Sequence, residues 1–213
     1  MSILVAIALS VLASLLVKVI VNFIYKWGER HIHQVPETVQ VELSDTDKEK
    51  VKETQQLIHD KFGDSVVETL RTASNKQRVD MMDEFAKDLA RLYGLDIDID
   101  ITVDQVSACG FYSWDSKKAV FNIALLMVDG NHENFAAFVR EVLDTIIHEL
   151  RHAVQHKATV DHDFWNVGEE RAKAWQDNMS NYIRPNVDAR GYAKQPVEAD
   201  AVTFAGQVMS EVK

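Results

Sequence analysis

The hydrophobic pattern of the chain changes period along its length, and each change marks an element. Residues 3–25, ILVAIALSVLASLLVKVIVNFIY, are almost unbroken in apolar character, with Lys18 the only charge. As a helix this run is about 34 Å long, enough to cross a bilayer core. No basic residue precedes it, and no small-residue cleavage site follows Ile24. The pattern therefore predicts an uncleaved membrane anchor over residues 1–27 rather than a signal peptide. The Lys18 stem can snorkel to the interface, and Tyr25 and Trp27 suit an interfacial belt. Ala6, Ser10 and Ser14 recur every four residues, the spacing that lets membrane helices approach closely. Helix-mediated self-association is one expectation from that spacing; the ordinary abundance of Ala and Ser in such helices explains it equally well. Lys26 and Arg30 follow the span, so the positive-inside tendency favours a single-pass topology with the C-terminal domain cytoplasmic.

Beyond the anchor, residues 28–43 are polar, contain Pro36 and show no period; they read as a linker. Residues 44–94 then read as helices. The first starts near Ser44, with Asp45 or Asp47 at its N-terminus, and stops near Gly63. A short one follows over 64–73. A longer one runs over 76–93, with Val79, Met82, Phe85, Ala86, Leu89 and Leu92 at buried-face spacing and Gly94 as its stop. At residue 96 the period falls to two. DIDIDITVD alternates strictly, as a half-buried strand does, with Ile97, Ile99, Ile101 and Val103 on one face. Its carboxylates lack the glycine turn of a calcium loop. CGFYSW and KKAVFNIAL are two further strands, so residues 95–128 make a small, antiparallel-rich sheet. The helical period returns over 133–156, and Phe135, Phe138, Val139, Val142, Leu143, Ile146 and Ile147 give it a buried face. Residues 160–167 and 185–191 read as loops. Residues 168–212 hold C-terminal helices, the last opening at Pro196.

Composition narrows the picture. The 213 residues are 46% hydrophobic and 26% charged, a globular balance. The net charge of -10 excludes a nucleic-acid backbone as the main partner. Cys109 is the single cysteine, which excludes an internal disulfide and a cysteine-rich zinc module. It reads as a small packing residue.

The buried helix over 133–156 carries HELRH at 148–152. Shuffling this composition yields such a motif about 0.02 times per chain. Residues four apart share a helix face, so His148 and His152 can reach one ion, and imidazole with carboxylate suits Zn2+. Glu149 is rotated about 100° from His148 and is left free to take a proton from an activated water. A catalytic site needs a third protein ligand. His156 lies about 12 Å of helix rise from His148, too far to share the ion. His162 and Asp163 lie in a loop. Glu169 and Glu170 open a later helix. Glu198 lies in QPVEADA.

His148, Glu149 and His152, together with Tyr192, Pro196, Glu198 and Ala201, resemble the motifs of gluzincin-type metallopeptidases. The resemblance is to the minimal single-domain kind and covers roughly residues 75–213. It implies Glu198 as the third ligand. The signature of larger thermolysin-like enzymes is not met, because Val202 stands four residues after Glu198. The residues support Glu198 independently. Ala201 and Ala205 make a narrow helix stripe that permits close approach, and Pro196 fixes the helix start. Glu169 and Glu170 are the runners-up. Asp144, four before His148, is placed to hydrogen-bond a ligand histidine. Tyr192 is a candidate donor to the oxyanion of a tetrahedral intermediate.

The expectation is an α+β, zincin-like domain over 44–213 behind an N-terminal transmembrane helix. It hydrolyses protein or peptide substrates with zinc, and the strand around Lys118 to Ala124 offers an edge for an extended substrate. One rival is a non-catalytic, membrane-tethered interaction protein with a structural or vestigial zinc site. Another is a zinc hydrolase acting on a non-peptide amide.

Overall fold

The computed structural model describes residues 41–104 and 109–212. The expected anchor, and the expected linker up to residue 40, lie outside the described residues. Among the described residues no helix is long and apolar enough to cross a membrane.

Three helices open the domain. Helix α1 (Asp45–Phe62) begins at a capping box in which Ser44 and Asp47 satisfy each other's backbone donors. It buries Val51, Thr54, Ile58 and Phe62 and ends at Gly63, where φ is 73°. Helix α2 (Val66–Thr72) is capped by Ser65, and α3 (Asn75–Leu92) by a second capping box from Ser74 and Gln77. Of the expected α3 face, Met82, Phe85, Ala86 and Leu89 are fully buried. Arg78, also buried, donates to the carbonyls of Leu70, Leu126 and Val128, which ties α2 and α3 to the segment after the sheet. The final residues of the expected linker are packed: Leu43 is buried, and the Val41 N–H donates to Thr203.

The sheet has three strands, β1 (Asp98–Thr102), β2 (Gly110–Ser113) and β3 (Lys118–Asn122), in the order β1-β3-β2. β2 and β3 form an antiparallel pair, whereas β1 and β3 run parallel. The sheet is therefore mixed, not antiparallel-rich. The two-residue period shows which face of a strand is buried but not which neighbour it pairs with. β3 sits in the middle, so both its edges are taken and it cannot accept a substrate strand. β2 and β1 are the edges. Val103 leaves the alternation and is exposed.

Helix α4 (Phe135–Ala158) runs through the middle of the domain and packs against α2, α3, β2 and β3. It also packs against the two longer C-terminal helices, α5 (Glu169–Ser180) and α7 (Pro196–Met209). All seven apolar positions read from the sequence as its face are buried. β2 lies so close to it that a Cβ on Gly110 would stand 2.8 Å from Thr145. Two expected loops carry short helical turns: a 3-10 turn at Phe164–Asn166, and α6 (Ala189–Ala193), whose first turn Asp188 caps.

Three buried charges and a half-buried arginine meet where α1, α4, α5 and α7 come together. Arg151 of α4 donates through Nε to Asp200 Oδ2 at 2.8 Å and through Nη2 to Asp200 Oδ1 at 3.1 Å. The same Nη2 lies 2.8 Å from Asp47 Oδ1. Arg171 of α5 bonds both carboxylates from outside. The Arg151 side chain is fully buried, with its guanidinium carbon 4.7 Å from the ring centroid of Phe204, 5.3 Å from Trp165 and 5.5 Å from Trp175. Burial pushes the Asp47 carboxyl up, but Arg151 and Arg171 outweigh it and hold the pKa at about 2 instead of 3.8.

Removing one partner from such a network strands the others. Arg151→Met should cost about 3–5 kcal/mol in chemical denaturation, and unchanged stability would contradict the assignment. Folding also lowers the Asp47 pKa, so its contribution is complete above about pH 4 and disappears as the pH falls toward 2. The contribution is on the order of 2 kcal/mol. Asp47→Asn should flatten the loss of stability across that acid window.

Candidate metal centre

The geometry of α4 brings the two motif histidines together. One helical turn apart, their Nε2 atoms stand 3.0 Å from each other, with the rings nearly perpendicular. The third group comes from the first turn of α7. Pro196 fixes the start of that helix, and its N-terminal dipole favours a carboxylate there. Ala201 and Ala205 are fully buried on the same helix, as the small-residue stripe requires. Glu198 Oε2 lies 3.4 Å from His148 Nε2, and Oε1 lies 3.4 Å from His152 Nε2. The three side chains thus offer ligand atoms within 4.8 Å of one another, and the group could hold a metal ion. Glu198 and His152 are buried, whereas the His148 side chain keeps 15% of its exposure and gives the group a solvent side.

The donor set fits zinc on two counts. Two nitrogens bound to one tetrahedral zinc stand about 3.3 Å apart, close to the spacing seen. Glu198 Oε2 is a buried carboxylate oxygen with no hydrogen-bond partner among the described residues, and a buried polar atom of that kind calls for a cation or another partner. Glu198 Oε1 accepts a hydrogen bond from the Tyr182 hydroxyl at 2.6 Å. Burial raises the Glu198 pKa, but the two histidines outweigh it and hold the carboxyl well below the usual range. Burial lowers the His152 pKa, yet Glu198, with Glu149 behind it, raises it to about 9.

Glu149 is not part of the ligand group. Its Oε2 accepts from the backbone N–H of Tyr112 at 2.9 Å, which ties it to the edge strand β2. Tyr192 lies beside the centre. Its ring is 6.1 Å from that of Tyr182, and burial and the Glu198 charge both push its phenol up. Asp144 is half-buried and close enough to His148 to feel its charge, but it makes no hydrogen bond to either histidine. Gln155 plays that part instead: its Oε1 stands 2.8 Å from His152 Nδ1. Glu169 and Glu170 are exposed in the first turn of α5, outside the ligand group, as are His162 and Asp163 in the preceding loop. His156 turns away and pairs with the Tyr112 hydroxyl at 3.0 Å. Burial and the nearby Glu141 push the Cys109 thiol up to about 11, as expected of a packing cysteine.

Sequence reasoning missed two members of the site, Gln155 and Tyr182. Gln155 follows His152 by three residues and so shares its helix face, a spacing that could have been read. Tyr182 reaches Glu198 from the chain after α5 and meets Trp114, at the end of β2, edge to face at 5.5 Å. No local pattern places it.

No family model matches the chain, and neither a curated protein nor a solved structure matches it.

Because the metal-free His152 holds a proton up to about pH 9, a metal must displace that proton at neutral pH. Zinc affinity should therefore rise with pH between 6 and 9, by about tenfold per unit for one released proton. Calorimetry in buffers of different ionisation enthalpy should report that release. Binding independent of both pH and buffer would contradict it.

Proposed function

We propose that the domain is a zinc-dependent peptidase of the gluzincin type, tethered to a membrane through residues 1–27 with its catalytic domain on the cytoplasmic side. The observation that carries this reading is the meeting of His148, His152 and Glu198 beside a glutamate that faces an edge strand. His148, His152 and Glu198 would hold the zinc. When bound, zinc supplies a Lewis acid that polarises a carbonyl and acidifies a water.

The remaining steps belong to the chain. Glu149 uses Oε2 for the Tyr112 N–H and makes no hydrogen bond through Oε1 among the described residues. That second oxygen is available to take the proton of the attacking water and pass it to the leaving amine. The Tyr112 N–H points away from β3 to Glu149, so the outer edge of β2, which pairs with no strand among the described residues, lies next to Glu149. An extended peptide added along that edge would pass its backbone close to the carboxylate. This moves the expected docking strand from β3 to β2 and favours polypeptide over a non-peptide amide. The Tyr192 phenol, held protonated by burial and by Glu198, can donate to the developing oxyanion. Tyr182 holds Glu198 from the side away from its free oxygen.

Glu149→Gln separates binding from chemistry. With zinc loaded, this variant should hydrolyse an unstructured protein such as casein about 10²- to 10⁴-fold more slowly than wild type while retaining its zinc. Undiminished hydrolysis would remove Glu149 from the mechanism.

A further inference from the structure

We infer that Gln155 and Asp200 are positioning residues that hold His152 in the form competent to bind metal through Nε2. The inference rests on the metal reading above and extends it to two residues that touch no ligand position of the ion.

An amide side chain can be turned either way, so its orientation must come from its partners. Gln155 has three. Its Nε2 lies 2.8 Å from the carbonyl oxygen of Val197 and 2.7 Å from Asp200 Oδ2. Both of these atoms only accept, so the amide nitrogen must face them. That leaves Oε1, itself only an acceptor, toward His152 Nδ1 at 2.8 Å. Nδ1 therefore carries a proton, and Nε2 is the ring nitrogen that faces His148 and Glu198 and is left for a metal. Gln155 is fully buried, so water offers it no alternative partner.

Asp200 is the fixed end of this chain. Its Oδ2 also takes the Arg151 Nε–H, and its Oδ1 takes donors from Arg151 and Arg171. Every contact it makes is with a donor, so it cannot let the Gln155 amide turn. Val197, Glu198 and Asp200 lie on one turn of α7. The residues that orient His152 thus travel on the same helix turn as the third ligand, and one docking event sets both.

The experiment titrates the metal-depleted full-length protein with cobalt(II) and follows its visible absorption. Gln155→Met keeps the volume and removes both the acceptor for Nδ1 and the donors. Asp200→Asn keeps the shape but replaces one of the two acceptor oxygens with a donor, so the carboxylate no longer fixes the amide from both sides. Each should lower cobalt affinity by about 10- to 100-fold. Leu70→Ala, a cavity in the core at α2, should lower the melting temperature and leave the cobalt affinity of the folded protein unchanged. Nitrogen-15 spectra of the zinc-loaded wild type should show His152 protonated at Nδ1 and slow to exchange there; this readout does not depend on any variant folding. Zinc on Nδ1 overturns the inference. So does wild-type cobalt affinity in both Gln155→Met and Asp200→Asn. Leu70→Ala matching their loss would reduce the effect to general stability and overturn it too. A wild-type protein that takes up no metal overturns the metal reading itself, and this inference with it.

Discussion

The buried guanidinium of Arg151 is the constraint around which the domain is arranged. A charge taken this far from water is tolerated only when it is paired and hydrogen-bonded. Its partners come from opposite ends of the described chain, Asp47 in the first turn of α1 and Asp200 in α7, and Arg171 of α5 closes the set. None of these four helices can leave without stranding a charge. The aromatic rings of Trp165, Trp175 and Phe204 enclose the guanidinium and exclude water from it. Such a network adds little raw stability over well-packed apolar residues, but removing one partner strands the others. Here it joins α7 to α4 two residues from Glu198.

The same helix turn serves two purposes because its residues point different ways. His148 and His152 face Glu198, Glu149 faces β2, and Arg151 faces the charge network. Gln155 joins two of these faces, since it touches His152 on one side and Asp200 on the other. The candidate centre is therefore not a pocket added to a finished fold. Its candidate third ligand, the Gln155 amide and the Arg151–Asp200 salt bridge all sit between α4 and one turn of α7.

Much of this was legible in the sequence, and the physical reasons for the rest are specific. Helices announced themselves through period and caps: Ser44 with Asp47, Ser74 with Gln77, and Pro196 at the start of α7. The candidate group was readable because His148 and His152 share a helix face and Glu198 has small neighbours. Arg151 was not, since an arginine between two motif residues looks like a solvated charge until its partners are known. Those partners, Asp47 and Asp200, lie far away along the chain. The parallel pairing of β1 with β3 was hidden for the same reason: alternation sets a face, not a neighbour. Asp144 was the expected contact to a histidine, yet Gln155, which shares that face, makes it. Side-chain reach and the Asp200 contact decided between them, and neither is written in spacing.

On the proposed reading, two imidazoles and the Glu198 carboxylate form one metal site. X-ray absorption at the zinc edge, on the purified full-length protein reconstituted with one equivalent of zinc, tests it most directly. The expected result is a shell of two imidazole nitrogens at about 2.0–2.1 Å with oxygen completing it, and loss of one light-atom ligand in Glu198→Ala. A shell containing sulfur or lacking imidazole, or one identical in Glu198→Ala, would contradict it.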